Sequence, residues 1–141
     1  MSGTESGFEL VEHTADTAIH GWGHDLPDLF RAMARGLMSV IADPRGILPA
    51  RGRILHLEAE NEQDLLHDWL ESLNALHQVH GELYVDFEPR IEGNQLSALV
   101  RGEALDPQRH DLGTEVKAVT WHDLALHRTA DGYEAYVLLD I

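Results

Sequence analysis

Cysteine is absent from the 141 residues of the chain. Its absence excludes a disulfide scaffold, catalysis by a thiolate and a zinc site with sulfur ligands. Long apolar runs are also missing, since no stretch approaches the roughly 18 residues of a transmembrane helix. The start of the chain has neither the positive region nor the apolar region of a signal peptide. We therefore expect a cytoplasmic protein that does not associate with membranes.

Positive charge is scarce. Lysine and arginine total 10 against 25 aspartate and glutamate residues, which gives a formal net charge of −15 with histidine neutral. A surface of this charge repels phosphate backbones, so we expect no stable direct binding of nucleic acid. It favours cations and positively charged protein partners, although solubility alone explains the acidity equally well.

Lysine occurs only once, at position 117, and the other nine basic residues are arginines. In a chain with this bias, the single lysine indicates a position where a compact ammonium group works and a planar guanidinium does not. Lys117 is therefore a candidate functional residue.

The domain organisation is predicted to be simple. The chain has no internal repeats and no low-complexity tracts, and its length suits one domain. We expect a flexible N-terminus over residues 1–7, followed by a single domain over residues 8–141.

The periodicity of apolar residues predicts the secondary structure. The spacing i, i+3, i+4, i+7 predicts a helix over residues 26–41, with Asp25 as its N-cap. A second apolar stripe, with Trp69 as an expected core residue, predicts a helix from Asn61 to near Gly81. The predicted strands and extended pieces are residues 8–13, 17–22, 53–59, 83–88, 96–100, 115–121, 124–128 and 133–141, with loops at 44–52 and 106–113 and a hairpin turn at Gly93-Asn94. The order ββαβα followed by consecutive strands predicts an α+β fold, in which two amphipathic helices pack on a mainly antiparallel sheet.

Several common site motifs are missing. The sequence has no glycine-rich phosphate loop and no Gly-x-Ser-x-Gly nucleophile elbow. His77 and His80 are spaced so that they could share a metal at a helix end. They have no third ligand near them in sequence, and solvated histidines are the more common outcome at such a position.

The segment from Glu12 to Asp16 concentrates polar chemistry at a break between two strands. It places two acids, an imidazole and a hydroxyl in five residues, where side chains converge instead of alternating. A functional turn is one interpretation. The other is that Asp16 caps its own backbone, as aspartates in turns commonly do.

The end of the chain is the second candidate. Val137 to Ile141 form an apolar strand that runs to the last residue, so a buried Ile141 would hold its α-carboxylate beside Asp140. Two carboxylates about 4 Å apart repel by roughly 4 kcal/mol at an effective dielectric near 20. A proton, a cationic side chain or a metal relieves such repulsion. If Asp16 joined them, the oxygen-rich cage would suit Ca²⁺, Mg²⁺ or Mn²⁺ and not zinc. The spacing alone does not bring Asp16 to this end of the chain.

Five short segments, taken together and in this order, resemble the archease family. They are Glu12-His13-Thr14-Ala15-Asp16, Gly21-Trp22-Gly23, Asp64-Leu65-Leu66 with Trp69-Leu70, the stretch from Gly113 to His122, and the closing Leu139-Asp140-Ile141. The resemblance spans residues 8–141, nearly the whole chain.

The resemblance implies a small cytoplasmic protein that helps RtcB-type RNA ligases, the enzymes that join RNA ends in tRNA splicing and RNA repair. Archeases promote guanylylation of the ligase histidine by GTP and support repeated turnover, and they are not ligases themselves. We therefore expect an activator and not an enzyme, with a transient contact to the ligase as its partner interaction.

The resemblance also implies site residues. The family's metal site corresponds here to Asp16, Asp140 and the main-chain carboxylate of Ile141. Ca²⁺ is the first expectation for the bound ion, with Mg²⁺ or Mn²⁺ as alternatives. The family's functional lysine corresponds to Lys117, which either contacts the partner or balances the acidic site. The residues assigned to partner contact and activation are Lys117, His13 and Glu12.

Two other functions stay open. The same acids, with His13 or His122 as the base, would suit a small metal-dependent phosphatase or nuclease. Alternatively, the chain is a chaperone-like binding module in which the metal is structural.

Overall fold

The computed structural model describes residues 6–13 and 15–141, which contain two α-helices and eight β-strands. The helices are α1 (Leu26–Ile41) and α2 (Glu62–His80). The strands are β1 (Gly7–Glu12), β2 (Asp16–Gly23), β3 (Arg51–Glu58), β4 (Glu82–Glu92), β5 (Gln95–Ala104), β6 (Ala118–Val119), β7 (Ala125–Thr129) and β8 (Gly132–Asp140). Neither helix is long and apolar enough to cross a membrane.

The strands divide into two sheets, and every strand pairing is antiparallel. The larger sheet has the order β1-β2-β8, and β6 and β7 pair with opposite ends of β8. The smaller sheet has the order β3-β5-β4. The predicted α+β fold with two helices and antiparallel strands is confirmed. The division of the strands between two sheets was not apparent from the sequence.

Both predicted helix starts are confirmed by capping contacts. The Asp28 N–H donates to the Asp25 side chain at 2.9 Å, and the Asp64 N–H donates to the Asn61 side chain at 2.8 Å. Side-chain oxygens at these positions satisfy N–H groups that have no partner inside the helix. At the other end of α2, Gly81 adopts the left-handed conformation with φ of 62°, as its sequence position predicted.

The apolar faces of the two helices pack against the inner faces of both sheets in one hydrophobic cluster. Trp69 of α2 is fully buried in it, and its indole N–H donates to the Phe30 carbonyl oxygen of α1 at 2.9 Å. Its ring meets the edge of Phe87 from β4 at a centroid distance of 6.3 Å. The prediction that Trp69 belongs to the core is confirmed.

Some predicted boundaries differ from the structure. The loop predicted over residues 44–52 contains a short 3-10 turn, Pro44–Gly46, and its last two residues already belong to β3. Pairing with β5 extends to Gly102, which lies opposite Arg51 and draws these residues into the strand. The expected flexible terminus, residues 1–7, falls mostly outside the described residues. It stays a prediction, as does the single domain.

The stretch 115–121, predicted as extended, forms a regular strand only at β6. The residues before it bond to the end of α1, because the N–H groups of Gly113 and Thr114 donate to the carbonyl oxygens of Ile41 and Val40, both at 2.8 Å. Carbonyl groups in the last turn of a helix lack partners inside it. Gly113 and Thr114 supply those partners. The chain therefore joins the larger sheet only at Ala118, the first residue of β6. A Cβ at position 113 would lie 2.4 Å from the Val40 oxygen, so the close approach requires glycine.

Polar side chains on α2 hold the segment that leads into β6. The His67 ring nitrogen Nε2 lies 2.9 Å from the Val119 carbonyl oxygen. Asn74 and Gln78 both donate side-chain N–H groups to the Val116 carbonyl oxygen at 3.0 Å. These contacts fix the backbone on both sides of the only lysine in the chain.

A polar cluster joins the end of β5 to the loop that follows it. Glu103 accepts a hydrogen bond from the Leu48 N–H at 2.6 Å and pairs with Arg109 and with His110, whose Nε2 lies 3.0 Å away. The buried His110 in turn accepts the Asp106 N–H at its Nδ1, at 2.9 Å. These donors, with the Leu48 N–H as the largest cause, lower the pKa of the Glu103 carboxyl from 4.5 to about 2.

Replacing the α2 histidine should loosen the lysine segment. In His67→Phe the flat ring is kept, but the Val119 carbonyl oxygen loses its side-chain donor, and we expect a loss of about 1–3 kcal/mol in unfolding free energy. Amide hydrogen exchange should speed up at Lys117 and Thr120, whose N–H groups bond to β8. Gln63→Ala, on the exposed side of the same helix, is the control. Unchanged exchange at both amides in His67→Phe would contradict the anchoring role.

Glu103→Gln should show a defined pH dependence. The pKa of Glu103 is lower in the folded protein than its ordinary value, so the carboxylate stabilises the fold fully above about pH 5 and loses this effect as the pH falls towards about 2. The melting temperature of Glu103→Gln should therefore lie below that of the intact chain at neutral pH, and the gap should narrow below about pH 4.5. Thermal melts followed by circular dichroism measure this, with the exposed Glu92→Gln as control. A gap that stays constant down to acidic pH would show that the charge of Glu103 is not the cause.

Candidate metal centre

Two of the predicted ligand residues face each other across a strand pair. Asp16 is the first residue of β2 and Asp140 is the last residue of β8, and the antiparallel register places them directly opposite. Directly opposite residues project from the same side of a sheet, with Cβ atoms about 4.5–5.5 Å apart. The structure thus brings together an acid from the start of the chain and the penultimate residue, which sequence spacing could not do.

The hydrophobic pattern of the two strands sets this register. Ile19 pairs with Val137 and Thr17 pairs with Leu139, and all four side chains are buried. A shift by one residue would turn each apolar side chain of one strand to the outer face of the sheet. Burial of these neighbours therefore holds Asp16 opposite the tail.

The last residue is also held in place. Ile141 is partly buried and packs against the core, and it follows directly on β8. The main-chain oxygen of Asp140 accepts the Lys117 N–H at 2.8 Å, so the segment before β6 braces the end of the chain. The side chain of Ile141 thus folds inward as expected, and the place of its α-carboxylate beside Asp140 stays a prediction.

Asp16 carries an unsatisfied oxygen. Its Oδ1 is buried and has no hydrogen-bond partner among residues 6–13 and 15–141. The turn before it is closed by the backbone, since the His13 N–H donates to the Asp16 carbonyl oxygen at 2.9 Å. Thr14, which follows His13 in the sequence, lies outside the described residues. A buried carboxylate oxygen without a donor is costly, and a cation is one partner that would satisfy it.

The donor set fits a hard cation only if the chain terminus takes part. Within the described part of the chain, no three His, Asp or Glu side chains are grouped so that they could hold a metal ion. Asp16 and Asp140 supply two carboxylates, and the α-carboxylate of Ile141 is the next anionic group along the chain. Such all-oxygen ligands are those that Ca²⁺, Mg²⁺ and Mn²⁺ prefer.

Lys117 presents its side chain to solvent beside this site. Its backbone N–H is bonded to Asp140, whereas its side chain is exposed. The ion pairs among the described residues are all made by arginine or histidine, and none by Lys117. Its ammonium group is therefore available to an external anion or carboxylate.

His13 and His122 lie on the Asp16 side of the site. Together with Asp16 they line a cavity of about 450 Å³ on the outer face of the larger sheet. Asp140 and Lys117 are not part of its lining. Glu12, the remaining predicted residue, is exposed at the end of β1, opposite Thr17.

The pairing of His67 with Trp121 was not predicted from the sequence. Trp121 follows the lysine segment and is 56% exposed, and its ring stacks on that of His67 at a centroid distance of 3.5 Å and an angle of 17°. The two residues are far apart in sequence, so only the packing of α2 against the β6 segment reveals the contact. The signal available in the sequence was a tryptophan four residues after the only lysine.

Comparisons with known proteins point to one family. A sequence profile described as the Archease protein family (MTH1598/TM1083) matches residues 8–141. Protein archease of Pyrococcus abyssi is 38% identical over 129 residues, which cover 89% of this chain and 91% of that protein. Protein archease of Methanopyrus kandleri is 36% identical over 138 residues, which cover 95% of this chain and 99% of that protein.

Solved structures share the fold. The solution structure of protein 1598 of Methanobacterium thermoautotrophicum superposes with a TM-score of 0.81 at 28% identity, over 96% of this chain and 99% of that one. The crystal structure of a Thermotoga maritima archease, described as a possible chaperone, gives a TM-score of 0.65 at 27% identity, over 94% and 96% of the two chains. With its sequence matched over residues 8–141 and its fold shared across nearly its whole length, the chain belongs to the archease family.

Proposed function

We propose that this chain activates an RtcB-type RNA ligase, by promoting GTP-dependent guanylylation of the ligase histidine and repeated turnover in tRNA splicing or RNA repair. Membership of the archease family supports the proposal. The observation that carries it is the pairing of Asp16 with Asp140 beside a fixed chain terminus. A cluster of acids at a surface edge suits a protein that presents a charged site to a partner.

The acidic site is proposed to hold a divalent cation through Asp16, Asp140 and the main-chain carboxylate of Ile141. Ca²⁺ is the first candidate, and Mg²⁺ and Mn²⁺ are the alternatives. When bound, the ion would neutralise the clustered carboxylates and offer positive charge to anionic oxygens such as those of a nucleotide. The buried Oδ1 of Asp16 supports this assignment, because a cation would supply the partner that residues 6–13 and 15–141 do not.

The rest of the surface supports a transient encounter with a basic partner. A net charge of −15 steers the chain towards a positive cleft such as one that binds RNA. A permanent occupant of that cleft would exclude the RNA, so the contact has to be reversible. Lys117 reaches a phosphate or an acidic residue of the ligase, with His13 and Glu12 at the rim of the contact.

Two rival functions have some support. The cavity that joins His13, Asp16 and His122 would suit a metal-dependent phosphatase or nuclease. The description of the Thermotoga maritima relative as a possible chaperone supports a binding module with a structural metal. Metal-dependent turnover of phosphate esters by the isolated chain would favour the first. Stimulation of the ligase that depends only on the amount of folded chain would favour the second.

Substitution of the acidic pair or the lysine should abolish activation. With a matching RtcB-type ligase and labelled GTP, we expect Asp140→Ala, Asp16→Asn and Lys117→Ala each to reduce the stimulated guanylylation rate by at least about tenfold. Glu92→Ala, an exposed acid on the smaller sheet, removes the same charge far from the site and should activate normally. Activation by the intact chain that survives all three substitutions would overturn the proposed site.

Extension of the chain past Ile141 tests the terminal carboxylate directly. Two added glycines convert the α-carboxylate into an amide and leave every side chain in place. Calorimetric titration should show that Ca²⁺ binding weakens by about tenfold or more, and that the rise in melting temperature with Ca²⁺ is reduced accordingly. The same two residues added before Met1 are the control. Equal Ca²⁺ affinity in both extended chains would exclude Ile141 as a ligand.

A further inference from the structure

Trp121 is an exposed aromatic side chain on a rigid support. Its ring is 56% exposed, although one face stacks on His67 at a centroid distance of 3.5 Å. By contrast, Trp69 is fully buried and Trp22 is half-buried. The outer face of this large aromatic group contributes nothing to the core, and tryptophan is one of the residues that carry most of the binding energy at protein interfaces.

The support beneath Trp121 is itself fixed. His67 is 5% exposed, and its Nε2 lies 2.9 Å from the Val119 carbonyl oxygen. The backbone before Trp121 is tied to β8, since the Thr120 N–H donates to the Leu138 carbonyl oxygen at 3.0 Å. An aromatic side chain that is already ordered loses little conformational entropy when a partner binds it, which is typical of residues that dominate interfaces.

Two carboxylates of α2 contact the histidine of this aromatic pair. Asp68 Oδ1 lies 3.1 Å from His67 Nδ1, and Glu71 Oε2 lies 3.9 Å from His67 Nε2. Asp123 follows Trp121 by two residues, is exposed and lies 3.3 Å from the His122 ring nitrogen Nε2. An indole ring with carboxylates in its neighbourhood attracts a cation through the ring quadrupole and through the negative charge. A planar guanidinium also stacks on such a ring, which an ammonium cannot do.

The aromatic pair adjoins the proposed metal centre. Thr120 bonds to Leu138, two residues before Asp140, and Asp123 lines the same cavity as Asp16. Trp121 and the acidic site therefore both lie at the end of the larger sheet that carries β6.

We propose that the outer face of Trp121, in a neighbourhood that holds the carboxylates of Asp68, Glu71 and Asp123, receives an arginine side chain of the protein partner and anchors the complex. This inference rests on the proposed function, because it takes the ligase to be the partner. The proposed contact at Trp121 lies outside the metal ligands, and the group that it binds is a guanidinium.

The same observations disfavour a nucleotide base on this face. A base stacks on tryptophan equally well, but it carries a phosphate into the neighbourhood of three carboxylates. The net charge of −15 adds to that repulsion. The same carboxylates that repel a phosphate group attract the guanidinium group of an arginine.

The affinity of a matching RtcB-type ligase for variants of position 121 tests the proposal. We expect Trp121→Ala to raise Kd by about tenfold or more, and Trp121→Leu to raise it as much, since leucine is apolar but offers no aromatic face. Trp121→Phe should lie between leucine and the intact chain. Ile54→Ala, at a site that is 69% exposed on the smaller sheet, is the matched control and should bind normally. Thermal melts of each variant verify that it is folded.

The outcomes separate the two proposals. If the intact chain activates the ligase and Trp121→Ala binds as tightly as it does, the anchor is wrong and the activator function stands. If Trp121→Leu binds like the intact chain, the contact is apolar and the arginine assignment is overturned. Quenching of indole fluorescence by GTP without ligase, absent in Trp121→Phe, would assign the face to a base instead. If the intact chain neither binds nor activates the ligase, the proposed function fails and the anchor fails with it.

Discussion

The pairing of β2 with β8 is the constraint on which the candidate site depends. Its register is enforced by buried side chains such as Ile19 and Val137, and it carries Asp16 and Asp140 to facing positions at the end of the strands. Two like charges directly opposite in a sheet are unfavourable. Burial of apolar surface in the same strands outweighs that cost, so the acidic pair is imposed by the core and not by attraction between the acids.

A second layer of organisation comes from α2. This helix contributes Trp69 to the core. It also holds the segment that leads into β6, through hydrogen bonds from His67, Asn74 and Gln78. The same His67 lies under Trp121. One helix therefore positions the lysine backbone and the exposed aromatic ring together. The acid pair, by contrast, is set by the strands alone.

Much of the fold was readable from local pattern. The limits of α1, the caps at Asp25 and Asn61 and the left-handed Gly81 followed from spacing and capping chemistry, which depend on neighbours within a few residues. The course of residues 113–117 was not readable. The N–H groups of Gly113 and Thr114 bond to the end of α1, which is distant in sequence, and no local propensity encodes a contact of that kind.

The sequence by itself determined the apolar end of the chain, the single lysine, the acidic surface and the resemblance to archeases, because each is written in the order and type of residues. Tertiary structure decided that Asp16 faces Asp140, that Asp16 Oδ1 is buried without a donor from the described part of the chain, and that Trp121 stacks on His67. Each of these contacts joins residues distant in sequence. Their closeness arises only when β8 is inserted between β2 and the β6 segment and α2 packs against that segment.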